Sequence, residues 1–99
     1  MSRPKYYWNG IVKKMIMQYP ELQNDTSTQA AIYKNAIDTA LEETKQLPDG
    51  ELRIKAIQKV YLDKTMTIEG VAIELNYSFR TMQRWLNSFV NLVGKKAGF

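Results

Sequence analysis

An all-α fold, a small domain of five helices, is predicted by three features of the chain. Apolar residues recur at the three- and four-residue spacing of a helical face in segment after segment. The stretches between those segments are short, polar and rich in turn-forming residues. No stretch reads as a convincing strand, and no internal repeat or low-complexity tract appears. The 99 residues are one domain's worth of chain, and a 44% hydrophobic composition can supply a modest core without metal or disulfide.

The elements follow in order. Trp8, Ile11, Val12, Met15, Ile16 and Tyr19 share one face of a first helix over residues 5–19, and Pro20 discourages its continuation. Tyr6, Tyr7 and Trp8 read as core and edge packing, while Lys13 and Lys14 lie off the apolar stripe on a solvated face. The polar segment from Glu21 to Ser27 suits a loop. Thr26 with Gln29 then forms a capping box for a second helix that buries Tyr33, Ala36, Ile37, Ala40 and Leu41. Leu47-Pro48-Asp49-Gly50 ends it with turn chemistry. A third helix, residues 51–62, carries Ala56, Ile57, Val60 and Tyr61 on one side, with Arg53, Lys55 and Lys59 elsewhere. Asp63-Lys64-Thr65 closes it. Thr67 caps a fourth helix whose apolar positions are Ile68, Val71, Ala72 and Leu75. The fifth begins after Ser78 and presents Met82, Trp85, Leu86, Phe89, Val90 and Val93, before a frayed basic end at Gly94-Lys-Lys-Ala-Gly98.

Composition narrows the chemistry. The chain has no cysteine and no histidine, so thiol chemistry, soft-ligand metal sites and the most frequent general base are missing. Glu69 and Glu74 lie around a helix without a pocket-forming companion, and no phosphate loop or nucleophile arrangement is present. Neither an enzyme nor a cofactor is expected. No apolar run approaches the roughly 18 residues of a membrane span, and the N-terminus lacks a signal peptide's apolar block, so a cytoplasmic protein without membrane contact is expected. The net charge of +4 is unevenly placed: residues 1–50 hold six basic and six acidic side chains, residues 51–99 eight against four. From Ser78 onward Arg80, Arg84, Lys95 and Lys96 stand without an acidic residue. Such a field favours a polyanion. The turn at residues 47–50 therefore divides a helical region over 1–50, suited to oligomerisation or partner binding, from a second region over 51–99.

The most informative window lies in that second region. Only Asn76 and Tyr77 separate the fourth helix from the Ser78 cap. Asn tolerates the left-handed conformation that ends a helix, and the Ser78 hydroxyl can accept a free N–H at the start of the next. A sharp angle between two short helices follows, with Ala72 as the small interior contact among Val71, Leu75, Met82 and Leu86, covered by Ile57, Val60 and Tyr61. This is a helix-turn-helix, a device for placing a helix in a DNA groove. Phe79, Arg80, Gln83, Arg84 and Asn87 form its outer surface. Arg80 opposes the positive end of the helix dipole, so a phosphate or a guanine edge explains it better than stability does. Gln83 can pair with adenine, Arg84 can reach a base or the backbone, and Thr81 and Asn87 are auxiliary contacts. Lys64, Thr67, Ser78, Arg80 and the Lys95-Lys96 end complete the candidate DNA-binding set by positioning or neutralising phosphates. Trp85 and Phe89 fit core or dimer packing better than base stacking. Gly70 is irregular, costing roughly 1 kcal/mol in a helix interior unless another backbone approaches it.

The pattern Tyr61-Leu-Asp-Lys-x-x-Thr67-Ile-Glu-x-Val71-Ala72-x-x-Leu75-x-x-Ser78-x-Arg80-Thr81-Met82-x-Arg84 resembles the helix-turn-helix of sigma-factor region 4. Within that class it is most similar to the ArpU/RinA-like group of phage late-gene transcriptional activators. Trp8 and the helical N-terminal half fit that group loosely. The resemblance implies a recognition helix from Ser78 to Asn87, a supporting helix from Thr67 to Leu75, and DNA contacts by Arg80, Thr81 and Arg84. It also implies activation of phage structural or packaging genes. Gly70 and Tyr77 depart from the pattern, which has a helix former and a smaller aliphatic residue there.

The expected function is a sequence-specific double-stranded DNA-binding regulator, an activator of phage or prophage genes. A single small module makes few contacts, so a homodimer or bacterial RNA polymerase is the expected partner. Two alternatives come from other classes: the small subunit of a phage DNA-packaging machine, and a helical protein-binding adaptor using Phe79, Trp85 and Phe89.

Overall fold

The computed structural model describes residues 9–98. The predicted start of the first helix at residue 5 and the aromatic cluster Tyr6, Tyr7 and Trp8 lie outside the described residues. The elements are α1 (Asn9–Met17), α2 (Tyr19–Leu22), α3 (Thr28–Lys45), α4 (Gly50–Ile57), a π-helical segment (Gln58–Leu62), α5 (Ile68–Leu75) and α6 (Phe79–Lys96). The fold is all-α, and no strand occurs among the described residues. Among the described residues there are six α-helices rather than five.

The additional helix arises at Pro20. Proline lacks an N–H and has a fixed φ, which suits the first turn of a helix as well as it stops one. The Gln18 N–H satisfies the end of α1 at the Lys14 and Met15 carbonyls, each at 3.1 Å, and the Gln18 carbonyl accepts from Glu21 and Leu22 at 2.9 and 3.1 Å. One helix stops and a short one starts on the same residue. Ile11, expected on the buried face, is 56% exposed. Val12, Met15 and Ile16 carry the burial of α1, and a residue adjacent to that stripe is rotated about 100° from it.

At α3 the cap is Ser27, one residue beyond the predicted Thr26. The Asp25 carboxylate accepts the Ser27 N–H at 2.8 Å, which holds that acid below its ordinary pKa. The Ser27 hydroxyl then accepts the Ala30 N–H at 3.2 Å. Gln29 does not return to the cap; its amide donates to the Tyr33 hydroxyl at 2.8 Å.

Between α3 and α4 the Leu47–Gly50 turn forms as its residues predict, with Asp49 left-handed at φ 58°. Gly50 is buried against the end of α3, where a Cβ would stand 2.2 Å from the Lys45 carbonyl oxygen. Only glycine permits that approach. The predicted third helix over 51–62 then divides, because the Asp63 N–H bonds to the Gln58 carbonyl at 2.7 Å, a five-residue return that widens the last turn. Tyr61 stays buried and Val60 is half-buried.

The core is one cluster joining both halves of the chain: Val12, Ile16, Ala36, Ile37 and Ala40 meet Ala56, Ile57, Tyr61, Val71 and the seam of α6. Helix α6 packs on α1, α3, α4 and α5. Its C-terminal end is not frayed. The helix runs to Lys96, Gly94 is buried, and the Lys96 ammonium pairs with the Glu43 carboxylate of α3. A cross-helix partner and a buried glycine hold a segment that composition alone marks as loose.

Helix α2 is tied to α3 by the Tyr19 hydroxyl, which donates to the Asp38 carboxylate, while Lys34 pairs with Asp38 at 2.8 Å. Burial and the Asp38 contact push the Tyr19 pKa up to about 12. Partial burial pushes the Asp38 carboxyl up, but its bonds to Lys34 and Tyr19 outweigh that and hold it below the ordinary value.

Two outcomes are expected. Gly50→Ala should destabilise the protein by about 2–3 kcal/mol in urea denaturation, because backbone rather than a yielding side chain meets the new methyl. Because the Asp38 pKa is depressed, its contribution is present above the unfolded carboxyl value and lost as pH falls through the folded one. The stability gap between wild type and Asp38→Asn should therefore be constant near neutrality and close in acid; it should be small, since the pair is partly solvated.

Candidate nucleic-acid interface

Three short-range devices set the geometry of α5 and α6. Thr67 Oγ1 accepts the Gly70 N–H at 3.0 Å and opens α5. Asn76 closes it in the left-handed region, φ 62° and ψ 44°, with the Tyr77 N–H bonded to the Ala72 carbonyl at 2.9 Å. Ser78 Oγ accepts the Thr81 N–H at 3.1 Å and donates to Thr81 Oγ1 at 2.9 Å, so two hydroxyls are spent on the start of α6.

Inside the angle, Val71, Ala72, Met82 and Leu86 are buried, with Leu75 and Val60 half-buried beside them. The Lys59 ammonium reaches Glu74 at 3.4 Å and links the π-helical segment to α5. Tyr77, in the turn, packs its ring 4.8 Å from that of Trp85 at a tilt of 56°. The Arg53 guanidinium lies 5.0 Å from the same indole and donates from Nε to the Pro48 carbonyl at 3.0 Å. Aromatic and cation contacts thus brace the turn.

The sequence-predicted residues separate into three groups. Arg80, Gln83, Arg84 and Asn87 are exposed and lie at the i, i+3, i+4, i+7 positions of one face, about 10 Å of helix. Phe79 stands at the head of α6, 44% exposed. No acidic residue occupies the first turn of α6, and among the described residues no carboxylate pairs with Arg80 or Arg84. The second group, Thr67, Ser78 and Thr81, has its hydroxyls engaged in caps and serves the face chiefly by orienting it. Lys64 belongs with the connections, exposed before α5 and left-handed at φ 58°, a conformation costly for a residue with a Cβ.

The third group is not brought to the face. Lys95 and Lys96 lie 15 and 16 residues beyond Arg80, about 22–24 Å along an ideal helix. Lys96 is paired with Glu43. Lys95 borders a recess of about 350 Å³ between α3, α4 and α6, whose walls include Thr44, Leu47, Trp85 and Phe89 and none of Arg80, Gln83, Arg84 or Asn87. Trp85 and Phe89 are 7% and 2% exposed. They belong to the core, so neither a base-stacking platform nor an adaptor surface can be built from them.

Among the described residues, the exposed apolar side chains Met17, Ile32 and Ile73 were not anticipated, and Ile73 is the most exposed of them. Ile73 on α5 is 81% exposed. Its signal was available, since it falls off the stripe of Ile68, Val71, Ala72 and Leu75. The environment of Gly70 is also plain: a Cβ there would meet only Thr67 Oγ1 at 3.4 Å and the Met66 side chain beyond it. No close backbone explains this glycine.

Among the described residues no cluster of acidic side chains could hold a metal ion, and no helix is long and apolar enough to cross a membrane. No family model, curated protein or solved structure matches the chain.

Replacing Ser78 by Ala should cost about 1 kcal/mol, since the first turn of α6 loses its acceptor. Gly70→Ala should have the opposite sign, stabilising by up to about 1 kcal/mol. Thermal or urea denaturation of the two variants measures both, and a destabilised Gly70→Ala protein would contradict the open environment of that residue.

Proposed function

We propose that the protein is a sequence-specific double-stranded DNA-binding regulator that lays α6 in the major groove. One observation carries this reading: Arg80, Gln83, Arg84 and Asn87 line the exposed face of a helix capped at a tight turn, with both arginines unpaired among the described residues. The diameter of a helix with its side chains matches the width of that groove. Two guanidinium groups and two carboxamides supply the hydrogen-bonding groups that distinguish base edges, and among the described residues no carboxylate pairs with the guanidinium groups. Arg80 costs stability where it stands, at the second position of α6, and a nucleic acid returns that cost. Lys64 likewise occupies a strained conformation in the connection ahead of α5, where a cation can meet a phosphate.

The resemblance to the ArpU/RinA-like activators and to sigma-factor region 4 adds the proposed role: activation of phage or prophage genes in the bacterial cytoplasm. A homodimer or docking on RNA polymerase would supply the specificity that one short face lacks. The exposed Ile73, on the supporting helix rather than on α6, suits such a protein contact. Lys95 and Lys96 have no part in this reading at the groove.

Selection of a site from a random duplex pool, followed by gel-shift titration, tests it. Arg80→Ala with Arg84→Ala should weaken binding to the selected site by roughly 100-fold or more, each good base contact being worth about 1–3 kcal/mol. The unfolding midpoint should move little, because both side chains are exposed. Unchanged affinity of a folded double variant would falsify the assignment of this face.

A further inference from the structure

Resting on the DNA-binding reading, we infer that Phe79 and Arg80 act as a pair that reads a C5-methylated pyrimidine beside a guanine. Phe79 is 44% exposed and belongs neither to the core cluster nor to the half-buried residues packed around it. Arg80, the next residue, is exposed and unpaired among the described residues. On either side, Ser78 Oγ accepts the Thr81 N–H and donates to Thr81 Oγ1, and the Thr81 side chain is half-buried. What this turn presents to a base edge is therefore an apolar ring and a donor-only guanidinium.

Each has a limited set of counterparts in the major groove. The guanidinium requires acceptors, and guanine alone presents two of them, O6 and N7, in bidentate spacing. The ring requires an apolar group, and the only one on a major-groove edge is the methyl at C5 of thymine, or of 5-methylcytosine when cytosine is modified. Consecutive helical residues differ by 1.5 Å of rise and about 100° of rotation, within reach of two neighbouring base pairs spaced 3.4 Å apart. Unmethylated cytosine, with an amino donor and no methyl, satisfies neither side chain, and adenine offers the guanidinium one acceptor in place of two. The pair thus rejects as well as selects.

The test uses the full chain and the duplex selected from a random pool. That duplex is expected to contain a thymine next to a guanine, and matched duplexes then carry deoxyuridine for the thymine, or cytosine and 5-methylcytosine in its place. Wild type should lose about fourfold in affinity when the methyl is removed from thymine, the value of one buried methyl group, and regain a similar factor from cytosine to 5-methylcytosine. A gain at both bases assigns the contact to the methyl itself; a gain with thymine alone restricts it to thymine. Phe79→Ala, checked for native helicity by circular dichroism, should bind thymine and deoxyuridine duplexes equally while still losing affinity when 7-deazaguanine replaces the guanine. Arg80→Ala should show the reverse pattern. Tight, selective binding that is indifferent to the methyl, or a methyl effect that survives Phe79→Ala, overturns the pair and leaves the DNA-binding reading standing. Failure to select any duplex overturns both.

Discussion

Everything in this fold depends on the burial of one side of α6. Met82, Trp85, Leu86, Phe89, Val90 and Val93 form a continuous seam, and each large member contributes on the order of 1.5–3 kcal/mol by leaving water. Four other helices pack on that seam, drawn from both halves of the chain. The consequence is mechanical as well as energetic. A helix held along its length cannot roll, so the side chains on its remaining face keep a fixed direction.

Around the seam, local chemistry sets angles that hydrophobic burial leaves open. Burial is non-directional, and several arrangements of short helices could cover the same residues. The left-handed Asn76, the Ser78 cap and the close approach at Gly50 reduce those arrangements to one. The surface ion pairs matter differently. Lys34–Asp38 and Lys59–Glu74 are partly exposed and contribute little to stability, but together with Lys96–Glu43 they decide which cations are neutralised. Among the described residues neither Arg80 nor Arg84 has an acidic partner.

Capping chemistry and periodicity between near neighbours in the chain account for the Leu47–Gly50 turn, the Thr67 and Ser78 caps, the left-handed Asn76 and the apolar stripes of α5 and α6. Elsewhere two local options competed within a few residues of each other. Pro20 has two compatible roles, stopping a helix and starting one, and the hydrogen bonds of Gln18 chose between them. Ser27 displaced Thr26 as a cap because Asp25 captured its N–H and Tyr33 captured Gln29. The widened turn at Gln58–Leu62 has no compositional mark that separates it from ordinary helix.

By itself the sequence determined the helical class, the tight turn between α5 and α6, and the set of residues that can face outward from α6. These depend on periodicity and on capping groups within four residues of one another, so chain order carries them. Tertiary structure decided which charges are free, which aromatics are core and how far Lys95 and Lys96 stand from Arg80. Those outcomes need contacts between residues distant in the chain, such as Glu43 with Lys96 and Arg53 with Trp85. No local pattern encodes such pairings, because they exist only once α3, α4 and α6 are packed together.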